Sequence, residues 1–219
     1  MAELRSEEEQ LDAIKRWWKE NGTSLIAGIA LAIAGVLGWN AWQNYQENQT
    51  YAASDRYQQL ITLTAQEEFD EAGHAQARGL IDEITDNHGR TLYAELAQLI
   101  EARLAVSEGD LAAARAALGD IIDTSSRDYV RGLARLRLAR IQLVTGDGEA
   151  ALATLDSGIP DSLAAQASDI RGDAYLALGR EDDARNAYRQ AMALSIESGQ
   201  SLYGVQLKLD NLGAEDATL

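Results

Sequence analysis

Residues 172–191 read GDAYLALGREDDARNAYRQA and decide the fold. Two runs of good helix formers are separated by Gly179 and a charged segment, which predicts two helices joined by a tight turn. Gly179 suits a left-handed helix cap, while Asp182 or Asp183 near the next N-terminus complements the helix dipole. Small residues on both helices, including Ala184, favour close packing of the pair.

The turn of glycine and acidic residues recurs along the chain, at Gly109, Gly146 and Gly179. Each glycine is followed five residues later by an alanine, and a weaker copy lies further upstream. The four alanines are Ala77, Ala114, Ala151 and Ala184, with spacings of 37, 37 and 33 residues. This period is typical of a helix-turn-helix repeat of the tetratricopeptide type, so we expect an all-α fold with three to four repeat units.

The best copy also matches the small and aromatic positions of that repeat, at Gly172, Tyr175, Gly179, Ala184, Tyr188 and Ala191. The copies around Ala102 and Ala139 match less well, because polar residues stand where large apolar residues are usual. A plain helical bundle therefore remains an alternative to the repeat fold.

Apolar residues at helical spacing mark both ends of the soluble part. Before the first repeat, Tyr57, Leu60 and Leu63 lie along one side of residues 48–64. After the last repeat, we expect a terminal helix that covers the open face of the repeat domain. Its apolar residues are Leu202, Val205, Leu209 and Leu212.

Composition narrows the possible partners. The chain has a net charge of -16; fifteen basic and twenty-nine acidic residues follow Trp42, so the soluble part carries -14. We expect no nucleic-acid partner, because such binding depends on basic residues that neutralise phosphates. The absence of cysteine excludes disulfides, thiolate zinc sites and cysteine nucleophiles.

An uncharged apolar segment precedes the repeats. Every residue from Leu25 to Trp39 is apolar or glycine, and no charged residue lies between Glu20 and Glu47. With its uncharged flanks, the segment is long enough to cross a bilayer. We therefore expect one transmembrane helix. A cleaved signal peptide and a buried core helix are the alternatives.

The basic residues around this segment predict its orientation. Arg5, Lys15, Arg16 and Lys19 precede it, whereas the first basic residue after it is Arg56. Basic flanks stay in the cytoplasm, so the N-terminus is expected there. The expected domains are a cytoplasmic segment at 1–22, an anchor at 23–42 and an external repeat domain at 43–219.

Small residues line one side of the apolar segment. Gly28, Ala32 and Gly35 form a stripe that would let another transmembrane helix approach closely. The alternative is that glycine and alanine are simply common in such helices.

Equivalent positions on the first helices of two repeats form a candidate partner groove. The helices that line the concave face of this repeat type carry an apolar strip with two arginines in register. The candidate residues are Leu96, Leu99 and Arg103 in one repeat and Leu133, Leu136 and Arg140 in the next. The strip would suit a peptide with an acidic group, unless the leucines are repeat core and the arginines pair with nearby acids.

Nothing in the sequence indicates catalysis. The only histidines, His74 and His88, lie in no recognisable catalytic or metal-binding motif. The carboxylate pairs at 67–68 and 182–183 are interpreted as solvated helix starts. We expect no enzyme activity, no cofactor and no metal site.

Three stretches outside the repeat motifs are distinctive. They read IKRWWKENG at 14–22, WNAWQ at 39–43 and YGVQLKLDNL at 203–212. Together with the short N-terminal tail and the acidic, cysteine-free repeat domain, they make the chain resemble the YfgM family over essentially its whole length.

The resemblance implies a single-pass protein of the bacterial inner membrane, with its C-terminal domain in the periplasm. Members are ancillary subunits of the SecYEG translocon that work with periplasmic chaperones on emerging secretory or outer-membrane proteins. The implied partners are therefore the translocon, periplasmic chaperones and client polypeptides. The alternative is a membrane-tethered scaffold for envelope assembly that acts independently of the translocon.

Overall fold

The computed structural model describes residues 2–66 and 70–213, with side chains from residue 9 onward. Within these ranges the chain forms nine α-helices, one 3₁₀ turn at Asp161–Leu163 and no strand. The helices are α1 (Ala2–Thr64), α2 (Glu71–His88), α3 (Leu92–Ser107), α4 (Leu111–Thr124), α5 (Asp128–Val144), α6 (Gly148–Leu155), α7 (Ala164–Ala177), α8 (Glu181–Ser198) and α9 (Val205–Asn211). The all-α prediction is confirmed. The side chain of Arg5, the acids Glu67 and Glu68, and residues 214–219 lie outside the described residues.

The chain divides after Tyr51 into two compact units. The first unit is helical, and its apolar side chains are uncovered: Leu31 is 75% exposed and Leu37 is 63% exposed. Among the described residues, α1 contains the one helical segment long and apolar enough to cross a membrane. A buried core helix, one of the two alternatives, is therefore wrong for this segment.

The second unit is built from repeated helix pairs, namely α3 with α4, α5 with α6, and α7 with α8. The four alanines predicted to allow close packing are Ala77, Ala114, Ala151 and Ala184, and each is 0% exposed. A large apolar residue four positions later is also buried in every copy: Ile81, Leu118, Leu155 and Tyr188. The predicted repeat spacing is confirmed, and the sequence analysis had recognised only the last of these large residues.

The turns within the helix pairs have the predicted chemistry. Gly109, Gly146 and Gly179 adopt left-handed conformations with φ of 81°, 81° and 72°, which residues with a Cβ rarely adopt. At the first two turns the next residue, Asp110 or Asp147, accepts a hydrogen bond from a backbone N–H three residues later, at 2.9 and 3.1 Å. The third turn instead places three acidic residues in the first turn of α8. Each turn therefore ends one helix and favours the start of the next.

In the last helix pair, one position holds a smaller residue, and the position that it contacts holds a larger residue, than in the preceding pairs. A Cβ added at Gly172 would lie 2.3 Å from Cε1 of the buried Tyr188. In the preceding repeats the corresponding residues are alanine and leucine, in the pairs Ala102 with Leu118 and Ala139 with Leu155. The larger tyrosine thus requires the smaller glycine, because protein interiors leave little spare volume.

The two ends of the repeat array are covered as the sequence predicts. At the start, Leu60 is fully buried, with Tyr57 and Leu63 packed around the same core. At the end, Val205 of α9 is buried against α8. The other predicted capping residues, Leu202, Leu209 and Leu212, pack against the same cluster.

Polar contacts also hold α9 in place. Lys208 Nζ lies 2.7 Å from Asp169 Oδ1 and 2.7 Å from Asp173 Oδ1. The hydroxyl of Tyr188 donates a hydrogen bond to Asp173 at 2.7 Å. Burial and this bond raise the pKa of Tyr188 well above its ordinary value. Burial alone would lower the pKa of Lys208, but the two aspartates outweigh it and raise that pKa.

We predict that Gly172→Ala destabilises the protein by about 1–3 kcal/mol, because the new methyl group overlaps the ring of Tyr188. In a Tyr188→Leu background the same substitution should cost less than about 0.5 kcal/mol, since alanine with leucine is the pair found in earlier repeats. Urea unfolding of the full chain in detergent, followed by circular dichroism, measures both values. Gly119→Ala is the control, because its Cβ would meet nothing within 4 Å. If Gly172→Ala lowered the free energy of unfolding equally in the two backgrounds, the proposed coupling between residues 172 and 188 would be contradicted.

We predict that stability falls as the pH rises above about 10. Tyr188 and Lys208 keep their protons in the folded protein at pH values where the unfolded chain loses them, so deprotonation favours unfolding. Tyr188→Phe should remove about 1 kcal/mol of the loss between pH 9 and 11. Urea unfolding at both pH values tests this, with Tyr129→Phe as the control because Tyr129 is 52% exposed. The same pH dependence in Tyr188→Phe and the wild type would disprove it.

Candidate partner-binding groove

The six predicted groove residues lie on α3 and α5, and the leucines among them are more buried than the arginines. Leu99 and Leu136 are each only 3% exposed and belong to the cores between helix pairs. Leu96 and Leu133 are half-buried and pack against the same cores. The prediction that Leu99 and Leu136 face a partner is therefore corrected, because neighbouring helices already cover them.

The two predicted arginines do come together. Arg103 and Arg140 line one cleft between α3 and α5, with a volume of about 300 Å³. We call this site the arginine cleft. Its lining residues are Ala102, Arg103, Val106, Leu118, Arg137, Arg140 and Ile141. Apart from the guanidinium groups the lining is apolar, and Val106 is 44% exposed.

A third arginine in the cleft, Arg137, was missed by the sequence analysis. Its position in the repeat holds isoleucine on either side, at Ile100 and Ile170. A charged residue at a position that is otherwise apolar core is the signal that could have identified it. Arg137 Nη1 donates a hydrogen bond to the backbone carbonyl of Leu99 at 2.7 Å, which fixes the guanidinium at the cleft.

The cleft concentrates positive charge. Burial, followed by the charges of Arg103 and Arg140, lowers the pKa of Arg137. Burial raises the pKa of nearby Tyr57, and the charges of Arg103 and Arg137 oppose that rise. The Tyr57 ring also lies 5.5 Å from the ring of Tyr93. A site with these features can bind an anionic group beside apolar surface.

In the last repeat, this row of equivalent positions holds acidic residues instead of leucine and arginine. Asp169 occupies the position of Leu99 and Leu136, and Asp173 that of Arg103 and Arg140. Both aspartates contact Lys208, as described above. Gln166, one turn earlier, donates a hydrogen bond to Gln200 at 2.9 Å. The segment that leads into α9 and α9 itself therefore occupy this end of the row.

Among the described residues, none covers the predicted transmembrane stripe. A Cβ at Gly28 or Gly35 would meet nothing within 4 Å, and Ala32 is exposed. The stripe is therefore open to another helix within the described part of the chain.

The histidines and the carboxylate pair at 182–183 have structural partners. His74 Nδ1 lies 2.6 Å from Glu108 Oε1, and Arg78 contacts the other oxygen of Glu108. This cluster joins the start of α2 to the end of α3 beside a surface cavity of about 500 Å³. His88 is the last residue of α2. Asp182 and Asp183 pair with Arg185 and Arg180.

Among the side chains of residues 9–66 and 70–213, no group of three or more histidines or carboxylates could hold a metal ion.

Comparisons with known proteins agree with the repeat architecture. A family model described as a tetratricopeptide repeat-like domain matches residues 15–214. A Haemophilus influenzae protein named "Ancillary SecYEG translocon subunit" is 32% identical over 97% of this chain and 100% of its own length. A protein of that name from Aggregatibacter actinomycetemcomitans is 33% identical over 97% of this chain and 100% of its own length.

A third relative of the same name, from Escherichia coli K12, is 30% identical over 94% of this chain and 97% of its own length. No solved structure matches the chain significantly. The chain therefore belongs to the tetratricopeptide repeat-like family that includes the proteins named ancillary SecYEG translocon subunits.

Proposed function

We propose that the protein is an ancillary subunit of the SecYEG translocon that acts as a membrane-anchored protein-protein interaction module. The observation that carries the proposal is the likeness to relatives of that name along nearly the whole chain, span and repeats together. The proposed role is non-catalytic, since tetratricopeptide-like repeats present binding surfaces built from packed helix pairs.

The proposed location is the bacterial inner membrane. Residues 23–42 cross the bilayer, residues 1–22 stay in the cytoplasm, and residues 43–219 lie in the periplasm. Ring pairs support this placement: Trp17 with Trp18 at 6.5 Å, and Trp39 with Trp42 at 5.1 Å, flank the apolar segment as interfacial tryptophans do. The basic residues before the span support the orientation.

Two surfaces divide the proposed contacts. The stripe of Gly28, Ala32 and Gly35 meets a translocon helix within the bilayer, where small residues permit close approach. The repeat domain contacts periplasmic chaperones and emerging client polypeptides through the arginine cleft. Association with the translocon and recognition by the cleft are therefore separable.

We predict that a tag fused before Met1 is protected by the inner membrane and that a tag after Leu219 is not. Protease added to spheroplasts should digest the C-terminal domain and leave the N-terminal tag intact. The mass of the purified chain tests the signal-peptide alternative at the same time, since an uncleaved anchor gives the full-length mass. Protection of the C-terminal tag would overturn the proposed orientation.

We predict that Gly28→Leu with Gly35→Leu weakens co-purification of SecY by about fivefold or more, because the larger side chains separate the helices. The matched control is Ala30→Leu with Ala34→Leu, which adds bulk on the opposite face of the same helix. Quantitative immunoblotting of detergent-solubilised membranes measures SecY. The stripe assignment fails if both pairs of substitutions have the same effect. Capture of envelope-assembly proteins without SecY by the wild type would instead support an independent scaffold.

A further inference from the structure

We propose that the arginine cleft recognises an acidic residue flanked by apolar residues in a partner polypeptide. The carboxylate lies between Arg103 and Arg140, and the apolar neighbour contacts Val106. The inference rests on the proposed function of the protein as an interaction module, and it adds the chemical class of segment that the module selects.

None of the described residues that line the arginine cleft is acidic, although the chain is strongly acidic. The chain has 35 acidic and 19 basic residues, and several arginines elsewhere pair with carboxylates, as Arg56 does with Glu83 and Arg127 with Glu95. Within the described residues, neither Arg103 nor Arg140 makes an ion pair or a hydrogen bond. Arg137 donates only to a carbonyl. A carboxylate from a partner would relieve the mutual repulsion of three cations.

The rest of the cleft lining is apolar. Ala102, Leu118 and Ile141 are buried beneath the cleft, while Val106 is exposed beside the arginines. A free inorganic anion would use the guanidinium groups and leave this surface in water. A polypeptide that carries an acidic and an apolar side chain on adjacent residues satisfies both parts of the lining. The volume of about 300 Å³ suits one or two side chains.

The charges along the row of equivalent positions on α3, α5 and α7 also favour an acidic partner. The one acidic position in register with Arg103 and Arg140 is Asp173, and Lys208 already neutralises it together with Asp169. The row therefore offers a partner open positive charge only. An acidic segment gains contacts here, whereas a basic segment meets repulsion.

Selection from a random dodecapeptide display library by the full chain in detergent tests the inference. We expect the wild type to enrich Asp or Glu next to Leu, Ile or Phe. Arg103→Glu with Arg140→Glu should lose that enrichment and select Lys or Arg at the same place. A selected peptide, labelled with fluorescein, should bind about tenfold more weakly when its acidic residue is changed to the amide.

Arg90→Glu is the control for charge reversal, because it replaces one arginine by glutamate at an exposed residue outside the cleft and should keep the wild-type selection. Failure to enrich any sequence, or the same selection by wild type and the double variant, would overturn the inference. Co-purification of SecY is measured on the same proteins. If SecY does not co-purify with the wild type, the translocon proposal is rejected regardless of peptide selection. If SecY co-purifies but the wild type does not select acidic peptides, this inference alone is rejected.

Discussion

The close approach of the two helices within each repeat is the constraint on which the soluble domain depends. Three alanines that permit it, Ala114, Ala151 and Ala184, are fully buried, as is Ala77 of α2, which packs against α3. A larger side chain at any of them would separate the helices and open the cores on both sides, because each core is shared with the next pair. The large residue four positions later fills the space that the alanine leaves. Gly172 and Tyr188 meet the same constraint with one smaller and one larger residue than the alanine and leucine of the preceding repeats. The fold therefore requires a certain summed volume at these two positions, not a certain residue at each.

Much of this architecture could be predicted from the sequence because it depends on local chemistry. A left-handed glycine followed by an acidic cap is written in consecutive residues, and its recurrence gives the repeat period. Helical spacing likewise predicts the buried sides of the first and last helices, including Leu60 and Val205. The apolar span could be predicted from composition alone. A helix that can cross a membrane is recognised by the length of its uncharged apolar segment, which does not depend on tertiary contacts.

The groove was harder to predict, because its chemistry depends on how each helix is rotated against its neighbours. Leu99 and Arg103 lie one turn apart on α3, yet the leucine is covered by packing and the arginine is exposed. A small rotation would exchange them, and the sequence pattern does not specify it. Arg137 was missed for a related reason, since it occupies a core position and reaches the cleft only through the hydrogen bond to the carbonyl of Leu99. The contacts of Lys208 depend on where α9 docks, so residue spacing could not predict them either.

The distribution of charge explains why a positive cleft can be selective on a domain of net charge -14. At physiological salt, fields from exposed charges decay over about 8 Å, so distant carboxylates do little to cancel the local field of Arg103, Arg137 and Arg140. Those same carboxylates still disfavour acidic chains elsewhere on the surface. The net negative charge of the remaining surface disfavours an acidic segment, whereas the cleft favours it, which would give discrimination by position as well as by contact. The acidic surface and the arginines therefore act together, because the repulsion outside the cleft makes the attraction inside it specific.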